Sequence, residues 1–253
     1  MQHFFVLKAN NWKRWGLILT AALFTAFYLW VEADSSFSVF STEENPAALS
    51  KGSPDDPYIA LTFNISWGNE KVEPILEKLK SHNAKATFFV SGEWAERHPE
   101  LLKKIEDDGH EIGMMGYQYK SYIQQDLENV RKDLVKAKDI FKKLGYSDTK
   151  ILRPPSGHFN KEILQLTEKQ GYQVIQWNVN PKDWENPGQQ KIIDHVMKNT
   201  SNGDIILLHA SDSVKQTPKA LDTILPGLKN KGFEFISITE MISRADSESK
   251  EIN

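Results

Sequence analysis

The sequence has no cysteine at any of its 253 positions. Disulfide bonds, thiolate metal sites and a cysteine nucleophile are therefore excluded, and stability must come from a packed core. An excess of charge of one sign is also lacking, because 31 basic and 34 acidic residues leave a net charge of -3. Without a basic field, nucleic-acid binding is disfavoured and no nucleic-acid partner is expected.

Charge is missing from one segment near the start, residues 15–31, which is apolar and follows Lys8, Lys13 and Arg14. At about 1.5 Å of rise per residue such a helix covers about 25 Å, near the lower limit for crossing a bilayer. We expect a signal anchor with the following chain on the extracytoplasmic side. The alternative is a cleaved signal peptide, which would make the protein secreted, although Glu32 beside the cleavage point argues against it.

The rest of the chain divides by composition. Residues 32–57 are rich in Ser, Pro, Asp and Glu and lack apolar periodicity, which is typical of a linker. We expect five segments: a cytoplasmic basic flank (1–14), a transmembrane signal anchor (15–31), a linker (32–57), one folded domain (58–245) and a polar tail (246–253).

Strand-like and helical runs alternate through the domain. The predicted strands are Tyr58–Ile65, Ala86–Val90, Glu111–Met114, Ile151–Arg153, Tyr172–Trp177, Asp204–Leu208 and Phe233–Ser237. The predicted helices are Val72–Ser81, Pro99–Asp108, Ile123–Leu144, Lys161–Gln170, Gln189–Asn199, Gln216–Lys229 and Ile238–Arg244. This alternation predicts an α/β fold with a mostly parallel sheet, and closure into a barrel accounts for the strand count better than an open sheet.

In a parallel barrel the chemistry lies at the carboxyl ends of the strands. Polar and aromatic residues concentrate there, at residues 64–68, 91–92, 114–119, 153–160, 178–184 and 209–212. Each has an ordinary structural explanation when taken singly. Asp183 could be a turn residue and His209 a satisfied histidine at a strand end, so their significance rests on the whole set.

Five motifs, in order, resemble those of the NodB-type polysaccharide deacetylase family. They are T-F-N-I-S-W-G from residue 62, G-H-E-I-G from 109 leading into M-G-Y-Q-Y from 115, R-P-P-S-G from 153, D-W at 183 and L-L-H-A from 207. The resemblance implies a distorted barrel of seven or eight strands and a cell-wall glycan, peptidoglycan, as partner. The first motif and the basic N-terminal anchor are similar to the sporulation-associated PdaB branch, which implies a role in sporulation.

The family holds zinc or a similar divalent metal with one aspartate and two histidines, beside an aspartate that acts as general base. The resemblance places Asn64 at the base position and Ile65, Met115 and Tyr119 at the metal-ligand positions. An amide has no useful basicity, isoleucine has no lone pair, and a thioether and a phenol are poor zinc ligands. We predict no metal or other cofactor and leave open whether the protein is an enzyme. These four side chains are expected to meet in one pocket beside His209.

The remaining family positions match. The resemblance assigns orienting and acid roles to Arg153, Asp183 and His209, and Asn64 completes the predicted catalytic group. The predicted glycan-binding residues are Trp67, Tyr117, Trp184 and Leu207.

Two alternatives stay open. The first is an active deacetylase with a site rebuilt from His158, His209 and Asp212, although Asp212 also fits a turn or a cap. The second is a membrane-anchored structural or signalling partner of another exported protein. His110, in the G-H-E-I-G stretch, is interpreted as structural.

Overall fold

Short buried apolar runs form the strands. The structure, a computed structural model, describes residues 47–250 and the side chains of residues 47–245. Within this part of the chain seven strands form one parallel sheet. They are β1 (Tyr58–Ile65), β2 (Thr87–Val90), β3 (Glu111–Met114), β4 (Ile151–Leu152), β5 (Gln173–Val174), β6 (Ile205–His209) and β7 (Glu234–Phe235).

Amphipathic helices connect the strands and cover the sheet. The described residues form α1 (Val72–Ser81), α2 (Gly92–Arg97), α3 (Pro99–Asp107), α4 (Leu127–Lys143), α5 (Lys161–Lys169), α6 (Gln189–Asn199), α7 (Thr217–Asn230) and α8 (Ile238–Lys250). Helix α2 was not predicted, and α8 continues beyond its predicted end. The single helix predicted from residue 123 is instead a 3-10 turn followed by α4, because the Asp126 carboxylate accepts a hydrogen bond from Asn129 N (2.8 Å) and caps α4.

The strand order is β5-β4-β3-β2-β1-β6, and β7 pairs with the start of β1. The predicted α/β fold with a parallel sheet is therefore confirmed. Between the outer strands β5 and β6 the described residues form isolated bridges, Leu49 to Ile175 and Val179 to Ile206, without a continuous ladder. The sheet thus curves towards closure, and its carboxyl ends lie along one edge.

Strand β1 separates the apolar core from the polar interior. Alternate side chains of a strand point to opposite faces. Every second residue from Ile59 to Ile65 belongs to the main hydrophobic cluster, which includes the buried faces of the helices. On the opposite face Thr62 and Asn64 are buried beside Arg153. The alternation therefore places the polar side chains of Thr62 and Asn64 on the interior face, and both lie in the half of β1 nearer its carboxyl end.

The last residues of the predicted linker also lie on this unit. Leu49 is buried, and Gly52 N donates to Gly203 O (2.7 Å). No helix in residues 47–250 combines the length and the apolar character needed to cross a bilayer. The predicted anchor at residues 15–31, the basic flank before it and most of the linker lie outside the described residues.

Candidate functional site

A buried carboxylate fixes the histidine at the end of β6. Asp183 lies in a 3-10 turn and is fully buried. Its Oδ2 accepts hydrogen bonds from His209 N (2.8 Å) and Thr217 Oγ1 (2.8 Å), and its Oδ1 lies 2.7 Å from His209 Nδ1. Since a carboxylate accepts, Nδ1 carries the proton towards Asp183. Nε2 lies on the other edge of the ring, away from the bond to Asp183, and the His209 side chain is 14% exposed.

A buried arginine holds the interior end of β1. Arg153 Nη1 donates to Thr62 Oγ1 and to Asn64 Oδ1, both at 3.0 Å. Its Nε donates to Ile175 O (3.3 Å) and its Nη2 to Gln176 O (3.0 Å). All these acceptors are neutral, and none of the ion pairs in the described part of the chain includes Arg153. Burial lowers the pKa of Arg153 to about 9, so the guanidinium is still charged at neutral pH.

Aromatic rings complete the surroundings of this cation. The Arg153 guanidinium lies 4.1 Å from the centre of the Phe89 ring and 5.2 Å from that of Trp177. Such contacts partly offset the loss of water around a buried cation. Trp177 in turn leaves no room for a side chain at Gly157, where an added Cβ would lie 2.3 Å from the indole. Gly157, the last residue of the R-P-P-S-G motif, therefore packs directly against Trp177.

Asn64 and His209 are direct neighbours across the sheet. They are paired residues of β1 and β6, and Ala210 N donates to Asn64 O (3.0 Å). Paired residues of adjacent strands lie about 4.8 Å apart and direct their side chains to the same face. The amide and the imidazole therefore share the interior face at the carboxyl end of the sheet.

The positions that the resemblance assigns to metal ligands do not fit a metal ion. Ile65 is fully buried in the main hydrophobic cluster, and Met115 is fully buried in a separate interior cluster. Tyr119 is 44% exposed. Within the described residues no group of three or more His, Asp or Glu side chains is placed to hold an ion. These residues offer a hydrocarbon, a thioether and a phenol, which is not a ligand set for zinc or a similar divalent ion.

The sequence predicts that the side chains of Asn64, Ile65, Met115 and Tyr119 meet in one pocket beside His209. Asn64 lies beside His209 as expected, but Ile65 and Met115 belong to different apolar clusters. The reason is strand alternation, which turns Ile65 to the helix side when Asn64 points inwards.

A carboxylate on α4 fixes the loop after β3. Asp133 Oδ2 accepts from Tyr117 N (2.9 Å) and Tyr122 Oη (2.8 Å), and Asp133 Oδ1 accepts from Gln118 N (2.9 Å). Gly116 has a φ of +74°, and an added Cβ there would meet the Tyr122 hydroxyl at 2.2 Å. Asp133 thus fixes the backbone of the loop that carries Tyr117 and Tyr119.

The predicted glycan-binding residues fall into two classes. Trp67 and Trp184 are 55% and 50% exposed, in the loops that follow β1 and β5. Tyr117 is half-buried, with its hydroxyl donating to Glu96 (3.0 Å). Leu207 is buried inside β6. The two tryptophans are accessible to a ligand, whereas Tyr117 is hydrogen-bonded to Glu96 and Leu207 is part of the buried sheet.

The other candidates have structural partners. Asp212 accepts from Asn69 N (3.1 Å) and Glu70 N (2.8 Å), so it holds the turn that carries Trp67. His158 Nδ1 lies 3.3 Å from Ser121 Oγ. His110 is buried before β3, at the opposite end of the sheet. No pair of these residues forms a rebuilt site with His209 among the described contacts.

Three contributors were not identified from the sequence: Thr62, Asp133 and Thr217. Each is an ordinary residue of a strand or helix and reaches the site through contacts 34 to 91 residues away in sequence, or 16 in the case of Asp133. Thr62 stands at the start of the first motif, which was its only available signal.

The Asp–His pair, the buried arginine and the exposed tryptophans lie at the carboxyl end of a parallel α/β sheet, where such folds place their functional sites. The chain matches the family model described as polysaccharide deacetylase over residues 51–175. It is 35% identical over 193 residues to a peptidoglycan-N-acetylglucosamine deacetylase of Bacillus cereus, covering 74% of this chain and 89% of that protein. The chain belongs to the polysaccharide deacetylase family.

Other relatives extend the comparison. The chain is 31% identical to the Bacillus subtilis protein YlxY, over 81% of this chain, but spans only 63% of the length of that protein. The crystal structure of the Bc1960 peptidoglycan N-acetylglucosamine deacetylase matches with a TM-score of 0.75 and 33% identity, over 82% of this chain and 96% of that one.

A third comparison concerns a protein without activity. BA3943, a CE4 family pseudoenzyme from Bacillus anthracis, matches with a TM-score of 0.73 and 32% identity, over 78% of this chain and 69% of that one. A BA3943 mutant is described as having restored enzymatic activity. None of these relatives singles out the PdaB branch.

Proposed function

We propose that this chain binds N-acetylated cell-wall glycan, is held on the extracytoplasmic side by its N-terminal segment, and has lost ordinary metal-dependent deacetylation. A role in sporulation is part of the proposal and rests on the resemblance of the first motif. The observation that carries the proposal is a contrast between the two sides of the site. Asp183, His209 and Trp184 are kept, while Ile65 and Met115 stand in apolar clusters where a metal would need ligands.

Glycan binding is supported by the exposed indoles. Flat apolar ring faces stack on the apolar faces of sugar rings, and Trp67 and Trp184 each leave about half of their surface free. The Bacillus cereus relative is a peptidoglycan-N-acetylglucosamine deacetylase, which indicates the class of glycan.

Loss of metal-dependent chemistry is supported by the residues present. Deacetylation in this family needs a metal to polarise the carbonyl oxygen and to activate water, and Asn64 cannot take up the proton of that water. The Bacillus anthracis pseudoenzyme indicates that this fold exists in a form without activity.

The test uses the full chain, purified in mild detergent. Zinc content and acetate release from peptidoglycan are measured beside an active peptidoglycan deacetylase, and binding is measured by pull-down on insoluble peptidoglycan. We expect no stoichiometric zinc, no acetate release and retention on peptidoglycan. Trp184→Ala should weaken retention, whereas the matched control Val135→Ala, which trims a 48% exposed side chain on α4, should not.

The outcomes distinguish the proposed function from the two alternatives, an active deacetylase and a partner of another exported protein. Stoichiometric zinc with acetate release would support the rebuilt enzyme and contradict the proposal. Absence of retention would contradict glycan binding and favour an exported protein partner. Equal retention of wild type and Trp184→Ala would mean that the glycan does not contact Trp184.

A further inference from the structure

The orientation of the Asn64 amide is fixed by its partner. A side-chain amide can be turned either way, and only its hydrogen bonds decide which end is oxygen. Arg153 Nη1 lies 3.0 Å from this amide, and a guanidinium only donates. The oxygen must therefore face Arg153. The NH2 group of Asn64 is turned away from the arginine.

This NH2 group is an unused donor. It has no hydrogen-bond partner among the described residues, and it is not completely closed off from solvent. Asn64 is nevertheless only 4% exposed, so the accessible part of the side chain is small. A hydrogen-bond donor without a protein partner is thus present at the carboxyl end of β1.

The neighbouring imidazole presents the opposite capacity. In its neutral form His209 carries its proton on Nδ1, towards Asp183, and Nε2 is an acceptor. Within the described residues Nε2 has no hydrogen-bond partner. The strand pairing of Asn64 with His209 places this acceptor beside the donor. The floor of the site therefore offers one donor and one acceptor next to each other.

We infer that Asn64 is a specificity-determining residue that donates a hydrogen bond to the carbonyl oxygen of an acetamido group, while His209 accepts one from the same sugar. The inference rests on the proposed glycan binding and deepens it. Asn64 stands at the position that the resemblance assigns to the base. In this chain it recognises the acetyl group, which is not removed. A deacetylated sugar carries an ammonium group instead, which offers only donors to Asn64 and places a positive charge near buried Arg153.

The experiment compares two sugars that differ only in acetylation. Affinities of the full chain are measured by calorimetry for tetra-N-acetylchitotetraose and for the fully deacetylated tetramer, at a pH at which the amines are charged. We expect wild type to prefer the acetylated tetramer roughly tenfold or more, the value of about one buried hydrogen bond. Asn64→Asp replaces the donor by an acceptor of the same shape, and most of this preference should disappear.

A matched variant controls for the added charge. Asn199→Asp makes the same change at the exposed end of α6, and the preference should be retained. Folding of each variant is checked by thermal unfolding. Equal affinity of wild type for both tetramers, or an unchanged preference in Asn64→Asp, would overturn the acetamido assignment while glycan binding stands. If wild type binds neither tetramer and is not retained on peptidoglycan, the proposed function fails and this inference fails with it.

Discussion

Asp183 holds His209 at two points, the backbone nitrogen and ring Nδ1, with both oxygens of one fully buried carboxylate. Asp183 therefore fixes both the backbone and the ring of His209. Asn64, its neighbour on β1, receives a charged hydrogen bond from Arg153 at the position where the sequence resemblance implies a carboxylate. A neutral amide thus stands beside the buried cation at the end of β1.

Asp183→Asn should destabilise the protein. An amide has one oxygen, which can accept from His209 N and Thr217 Oγ1, but its NH2 would then face His209 Nδ1 and force the ring proton onto Nε2, and the charged acceptor of all three bonds would be lost. We expect a loss of about 2–4 kcal/mol in the free energy of unfolding, measured by urea denaturation. The control Asp194→Asn, exposed on α6, should change it by less than about 0.5 kcal/mol. An equal effect of both variants would mean that the buried carboxylate has no special role.

Asn64→Asp should stabilise the fold. The new carboxylate would lie about 3 Å from a buried guanidinium that has only neutral acceptors in the described structure. We expect a gain of about 1–2 kcal/mol in the free energy of unfolding at pH 7, because an existing buried cation gains its counter-ion. Asn230→Asp, at the exposed end of α7, is the matched control, because the Asn230 side chain has no hydrogen bond among the described residues. A loss of stability would indicate that the neutral acceptors and the rings of Phe89 and Trp177 already balance the cation.

His110 should make stability depend on pH. Burial lowers its pKa from 6.5 to about 4, an effect only partly opposed by Asp108, and neither ring nitrogen has a partner among the described residues. The folded state therefore disfavours the protonated ring. The stability tied to neutral His110 is complete above pH 6.5 and is lost as the pH falls from 6.5 towards 4.

The variant His110→Leu isolates this contribution. Wild type should lose about 1–3 kcal/mol more than the variant between pH 7.5 and pH 4, as measured by urea denaturation across the range. Leucine fits the apolar surroundings, in which the imidazole lies 5.4 Å from the Phe88 ring. Parallel curves for wild type and variant would show that another group carries the acid sensitivity.

The sequence predicted the fold better than the site. The strand-like run Tyr58–Ile65 predicted β1 with the observed bounds, and every residue in it is buried. The helix α2 was missed because its six residues are too few for a helical period, and its start depends on the Ser91 hydroxyl that accepts from Trp94 N (3.3 Å). Local patterns do not reveal such caps unless the turn is also recognised.

For the site, the motifs placed Asn64, Arg153 and His209 together, and the structure brings them to one end of the sheet. The motifs did not predict that Ile65 turns into the helix-side core, which follows from strand alternation. They also did not identify Asp133, because a carboxylate in the middle of a charged helix has no distinct pattern until the loop that it binds is in place.

Asp133 is expected to control the loop that carries Tyr117 and Tyr119. Asp133→Ala would leave the donors Tyr117 N, Gln118 N and Tyr122 Oη without their common acceptor, at a cost of about 2–4 kcal/mol in the free energy of unfolding. The exposed bond after Lys120 should then be cut by trypsin faster than in wild type.

The control is Asp139→Ala, which removes an exposed carboxylate from the same helix. Both variants gain the same helix propensity and lose the same charge, so a difference between them reports the loop contacts alone. Faster cleavage after Lys120 in Asp133→Ala only would mean that this carboxylate fixes the loop through its three hydrogen bonds. Equal cleavage in both variants would mean that packing around the fully buried Tyr122 ring, rather than Asp133, keeps the loop in place.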